Sequence, residues 1–135
     1  MAIPFLACMA AAAAFYNLPP RALPAIQAVE GGRVGTVSRN TDGSEDLGLM
    51  QVNTRWIPIL SRYTHTSNDV TRARLIGDPC FNIAAAGAIL RTYMNETGGD
   101  LMLAVSYYHS HTPARGQEYL ARVMRTATAL FGNSR

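Results

Sequence analysis

Apolar and polar positions follow three different rhythms along this chain. From Ala2 to Tyr16 the residues are almost all apolar, a run shorter than the roughly 20 residues needed to cross a bilayer and interrupted by Pro4. It reads as a first, largely buried helix. A cleaved secretory signal is the alternative, but such a signal carries a basic region ahead of its apolar core and the first basic residue here is Arg21. Pro19 to Glu30 carries Leu23, Ile26 and Val29 on one side and stops at Gly31-Gly32, which predicts a second helix with Glu30 in its last turn. Between Thr36 and Asn53 the helical period is lost. Asn40, Asp42-Gly43 and Gly48 supply turn chemistry between Val37 and Val52, so a small hairpin or irregular ribbon is expected there. A helix from Asn82 to Glu96 buries Ile83, Ala86, Gly87, Leu90, Tyr93 and Met94, with Gly98-Gly99 as its stop. Asp100 caps a short helix from Leu101 to Tyr108. Thr112-Pro113 opens the last one, in which Tyr119, Leu120, Val123, Met124, Ala127, Leu130 and Phe131 recur at helical spacing before Gly132-Asn133. The expected class is α+β, mostly helical, with a minor β element.

The chain has 135 residues, 48% hydrophobic and 16% charged. That is enough for one core and too little for two, so residues 1–135 are read as a single domain. All 12 basic residues are arginine, giving a net charge of +3. No four of them are consecutive, which argues against a nucleic-acid arm or a polybasic membrane patch and leaves a diffuse field that favours an anionic polymer. Cys8 and Cys80 form no C-x-x-C pair, so zinc spacing is absent. From spacing alone, a disulfide and two separate buried thiols stay open. His109 and His111 lack a third ligand at metal spacing, so no metal is expected. One of them is expected at a cleft. Trp56 reads as core with Ile57 and Leu60, with sugar stacking as its alternative, and the methionines read as core gap-fillers.

Glu30 is the residue with candidate chemistry. A carboxylate at the carboxyl end of a helix meets the negative end of the helix dipole, and Ile26 and Val29 beside it reduce its hydration. Both effects raise its pKa. A carboxyl that keeps its proton near neutral pH is what a general acid needs to protonate a leaving oxygen.

Around Glu30 the sequence resembles a known family. Val29-Glu30-Gly31-Gly32, Asn40 to Asn53 with Gly48-Leu49-Met50-Gln51 inside it, Asp78-Pro79-Cys80, Asn82-Ile83, Gly87 and Ser106-Tyr107-Tyr108-His109 stand in the order and spacing of the small soluble-type lytic transglycosylases that accompany conjugative pili and type III or type IV secretion machines. The resemblance implies a lysozyme-like fold and cleavage of the β-1,4 bond between MurNAc and GlcNAc in peptidoglycan. It also implies Glu30 as the sole catalytic acid and base, and Met50 and Gln51 on the wall of the sugar groove. Asn40 would lie near the reacting N-acetyl group, Tyr108 would orient Glu30 through its hydroxyl, and Cys8 would be bonded to Cys80; His109 is expected, from the residues and not from the resemblance, as the cleft histidine that bonds substrate or the stem peptide. No cofactor is needed. Secretion or pilus subunits become candidate partners, the location becomes periplasmic or otherwise exported, and nothing specifies an oligomer. Two departures stand out: Gly31 replaces the usual Ser after the acid, and His109-Ser110-His111 replaces the usual Asn-Ala-Gly.

Asn40 to Trp56 is also similar to animal-type lysozymes, which place a second carboxylate at the position of Asp46. In a retaining hydrolase that carboxylate faces the acid across the sugar. A lytic transglycosylase dispenses with it, because the substrate's N-acetyl group assists and the MurNAc 6-hydroxyl attacks to leave a 1,6-anhydro end. Asp46 is expected as an acceptor for backbone amides in the Asp-Gly turn, with catalytic support and a groove contact as the other readings. A non-catalytic, glycan-binding assembly factor is the competitor from another class.

Overall fold

The computed structural model describes residues 2–132. Among them are seven α-helices and a three-stranded antiparallel sheet. The apolar amino-terminal run forms α1 (Leu6–Phe15), and Pro19 to Glu30 yields α2 (Ala22–Glu30). The ribbon region is β1 (Val37–Arg39), β2 (Glu45–Leu47) and β3 (Val52–Asn53). A 3-10 turn, Thr54–Trp56, leads into α3 (Ile57–Thr64), followed by α4 (Asn68–Gly77), α5 (Pro79–Glu96), α6 (Leu101–His109) and α7 (Pro113–Phe131). Asn133 lies outside the described residues.

The α5 helix is the axis on which α1, α2, α4 and α6 pack. It starts at Asp78, whose Oδ1 accepts from the Phe81 amide at 3.1 Å, and its Ala-rich middle lets neighbours approach. A Cβ at Gly87 would sit 2.9 Å from the Tyr16 ring, so the glycine is what seats α1 there. The Cys8–Cys80 disulfide fastens the same pair of helices, with Cα atoms 5.3 Å apart, as the resemblance implied. Asp100 caps α6 through the Leu103 amide, whereas Thr112 makes no side-chain cap on α7. The α4 helix, unannounced by any apolar stripe, buries only Thr71 and Leu75 and is started by Ser67, whose Oγ accepts from the Val70 amide.

The sheet runs in the order β1-β2-β3, with Ser38 opposite Asp46 and Asp46 opposite Asn53. Strand alternation divides its residues between two faces. Leu47 and Val52 point into the core, both at most 1% exposed, and Asp46 and Asn53 point the other way. Asp42 closes the β1–β2 tip, its Oδ1 accepting from the Ser44 amide at 2.9 Å and the Ser44 hydroxyl at 2.6 Å. The backbone-amide acceptor of the Asp-Gly turn is therefore Asp42, and the role expected for Asp46 belongs to its neighbour four residues earlier.

Candidate active site

The carboxyl end of α2 is fitted against the turn between β2 and β3. Gly31 ends the helix in the left-handed region, φ 69°, and its amide still donates to the Gln27 carbonyl at 2.8 Å. Gly32 follows with no room for a side chain, because a Cβ there would overlap the carbonyl oxygens of Gly48 and Leu49. The turn it rests on is fixed from below by Asn82 of α5, which is fully buried. The Asn82 amide donates to the Leu47 and Leu75 carbonyls, each at 2.8 Å, and its Oδ1 accepts from the Met50 amide at 2.7 Å. One side chain thus joins the central helix, α4 and the sheet turn, and it leaves none of its own groups unpaired in that network.

Glu30 emerges from this junction into a cleft of about 520 Å³. Asn40, Ser44, Asp46, Gln51 and Asn53 of the ribbon form one wall, and Tyr108, His109, Ser110, His111 and Arg115 form the other. Trp56 lines the same cleft, partly buried and edge-on to Tyr93 at 5.8 Å between ring centres. Another cavity of about 560 Å³, between the amino-terminal segment and α2, has Arg33 as its only charged lining residue and offers no acid.

Burial raises the Glu30 pKa from the ordinary 4.5 to about 7. The hydrogen bond from Tyr119 works in the opposite direction, Asp46 across the cleft adds to the rise, and Arg122 offsets part of it. The carboxyl therefore exchanges its proton near neutral pH. The Tyr119 hydroxyl donates to Glu30 Oε2 at 2.7 Å from a ring only 2% exposed. Burial and the adjacent Glu30 push the Tyr119 phenol far above its ordinary range, so it remains a donor throughout.

Asp46 Oδ1 accepts from Asn53 Nδ2 at 3.0 Å, an orientation given by their pairing across β2 and β3. Gln51, held at φ 54°, donates from Nε2 to the Gly48 carbonyl at 3.0 Å. Asn40 Nδ2 donates to Ser44 Oγ at 3.0 Å. The His109 ring lies nearly parallel to that of Tyr119, with ring centres 4.8 Å apart.

The sequence profile of the transglycosylase SLT domain matches residues 7–129. The chain belongs to the SLT transglycosylase domain family. It is 27% identical over 131 residues to invasion protein IagB of Salmonella typhimurium, covering 94% of this chain and 79% of that protein. With invasion protein IagB of Salmonella typhi it shares 28% over 109 residues, 80% of this chain and 65% of that protein. As an SLT transglycosylase the chain is a peptidoglycan lytic transglycosylase, and the lysozyme-like α+β fold expected from the sequence is borne out.

Within this SLT domain the structure brings Glu30, Asn40, Asp46, Gln51, Tyr108 and His109 to one cleft. Two of the expected placements change. The Tyr108 hydroxyl donates to the Met50 carbonyl at 3.1 Å, and the hydroxyl on Glu30 is that of Tyr119. The Met50 side chain is fully buried and belongs to the core, so its part in the site is played by its backbone, which is tied to Asn82 and Tyr108. Tyr119 hid among the apolar positions of α7. Its signal was the phenol itself, since a hydroxyl on the buried face of a helix needs a partner.

Proposed function

We propose that this enzyme cleaves the MurNAc-GlcNAc β-1,4 bond without water, leaving 1,6-anhydro-MurNAc. Glu30 protonates the glycosidic oxygen as the bond to the anomeric carbon breaks, with the N-acetyl carbonyl assisting from the opposite face. The resulting Glu30 carboxylate then takes the proton of the MurNAc 6-hydroxyl as that oxygen bonds to the anomeric carbon. The supporting observation is the protonatable Glu30 in the cleft, with a buried tyrosine hydroxyl on its carboxyl. Asn40, Gln51 and His109 bind the sugars, Tyr108 supports the catalytic turn through Met50, and residues 1–135 act as one catalytic domain. The Cys8–Cys80 disulfide and the likeness to IagB, an invasion protein by name, support an exported, periplasmic enzyme that opens the wall locally for a secretion or conjugation apparatus. It works as a monomer.

A second reading has its own observation. Asp46 shares the cleft with Glu30 and is oriented by Asn53, as a muramidase using water and two carboxylates would require. Mass spectrometry of fragments released from purified peptidoglycan separates the two. Anhydro ends, one water lighter than reducing ends, are expected from the wild type and from Asp46→Asn. Reducing ends, together with loss of activity in folded Asp46→Asn, would establish the hydrolase instead. Glu30→Gln should lower fragment release by about a thousandfold, and retained cleavage would remove Glu30 from the mechanism.

A further inference from the structure

The exposed His109 stands at the end of α6, on the cleft side of the Glu30 site. Its imidazole lies flat against the Tyr119 ring, ring centres 4.8 Å apart and planes within 6°. On Tyr119 sits the hydroxyl that donates to Glu30. The imidazole covers part of one face of the phenol ring, and Tyr119 is only 2% exposed. Groups of two elements face the imidazole: Arg115, Glu118, Tyr119 and Arg122 of α7, and Asp46 of β2. Burial, Arg122 and Arg115 hold the His109 pKa below its ordinary value, with Asp46 and Glu118 acting against them. The lowering favours the neutral ring, which acts here by its shape.

We propose that His109 is a positioning residue for Glu30, a flat cover that keeps water from the Tyr119–Glu30 hydrogen bond. The inference rests on Glu30 being the catalytic acid and goes beyond sugar contact by His109. Desolvation is what holds a carboxyl high, so uncovering the pair lowers its pKa. A phenylalanine in place of His109 restores the cover without a ring nitrogen or a charge.

The test is a carbon-13 titration of the intact protein labelled at the glutamate carboxyl carbons. The sequence has four glutamates, and the resonance missing in Glu30→Gln identifies that of Glu30. In His109→Ala the Glu30 midpoint should fall by about one pH unit, whereas in His109→Phe it should stay near that of the wild type. At pH 7 a fall from 7 to 6 leaves about fivefold less protonated Glu30. The descending limb of the pH profile for anhydro-product release should move by the same interval in His109→Ala alone. A midpoint that stays or rises in His109→Ala overturns the proposal, as does one that falls equally in His109→Phe, since either result would leave His109 a polar substrate contact only. The titration uses no substrate, so its failure leaves the transglycosylase reading untouched. Failure to release anhydro ends would sink that reading without altering the titration.

Discussion

Holding Glu30 at a pKa near 7 has a thermodynamic consequence at the scale of the single residue. Because its folded pKa lies above its unfolded value near 4.5, the folded state binds the extra proton. Stability is therefore lost as pH rises from the unfolded value through the folded one, and the full penalty is present above pH 7. The shift corresponds to about 3 kcal/mol. Glu30→Gln, which keeps the shape and loses the charge, should be more stable than the wild type by up to about 3 kcal/mol at pH 8 and by nothing at pH 4. Urea unfolding at the two pH values measures the difference. Glu30 itself was legible in the sequence because its helix, its stop signal and its apolar neighbours are local. Its partner was not, because Tyr119 lies 89 residues away and only the packing of α2 on α7 joins them.

Among the elements, the ribbon depends on α5 more than on its own ladders, which pair only three residues with three and two with two. Asn82 supplies the link. Asn82→Leu would fill the same space with an apolar group but strand the Met50 amide and the Leu47 and Leu75 carbonyls, at a cost of about 4 kcal/mol. Thermal melts should show the loss, and the variant's residual activity should fall further than its stability explains, because the turn under Glu30 is displaced. The helices with apolar stripes were predictable from period alone, as α5 and α7 illustrate. The α4 helix was not, since its sequence is mostly polar and its position comes from Ser67 at one end and Leu75 in the core. The ribbon was anticipated from Asp42-Gly43 and Gly48. Its third strand was not, because two residues carry no period.

At the scale of the molecule, the Cys8–Cys80 bond spans 72 residues and holds α1 on the central helix. Closing a loop of that length stabilises the fold by about 4 kcal/mol on the chain-entropy argument. Replacing both cysteines with serine should lower the unfolding free energy by that amount, and chemical denaturation of the wild type with and without reductant should reproduce it. No helix of the described residues is long and apolar enough to cross a membrane.

The buried amide of Asn82 also separates what can vary in this enzyme from what cannot. Resting on it, the turn, the glycine pair and the acid form a fixed frame. Farther out, the β1–β2 tip from Asn40 to Ser44 is closed by its own short-range bonds and by one from Asn53 to Ser44, and it borders the cleft. Insertions or exchanges between Asn40 and Ser44 would therefore reshape the rim of the groove while leaving proton transfer intact, so a lineage built on this scaffold is free to follow a changing cell-wall chemistry by altering the three residues from Thr41 to Gly43.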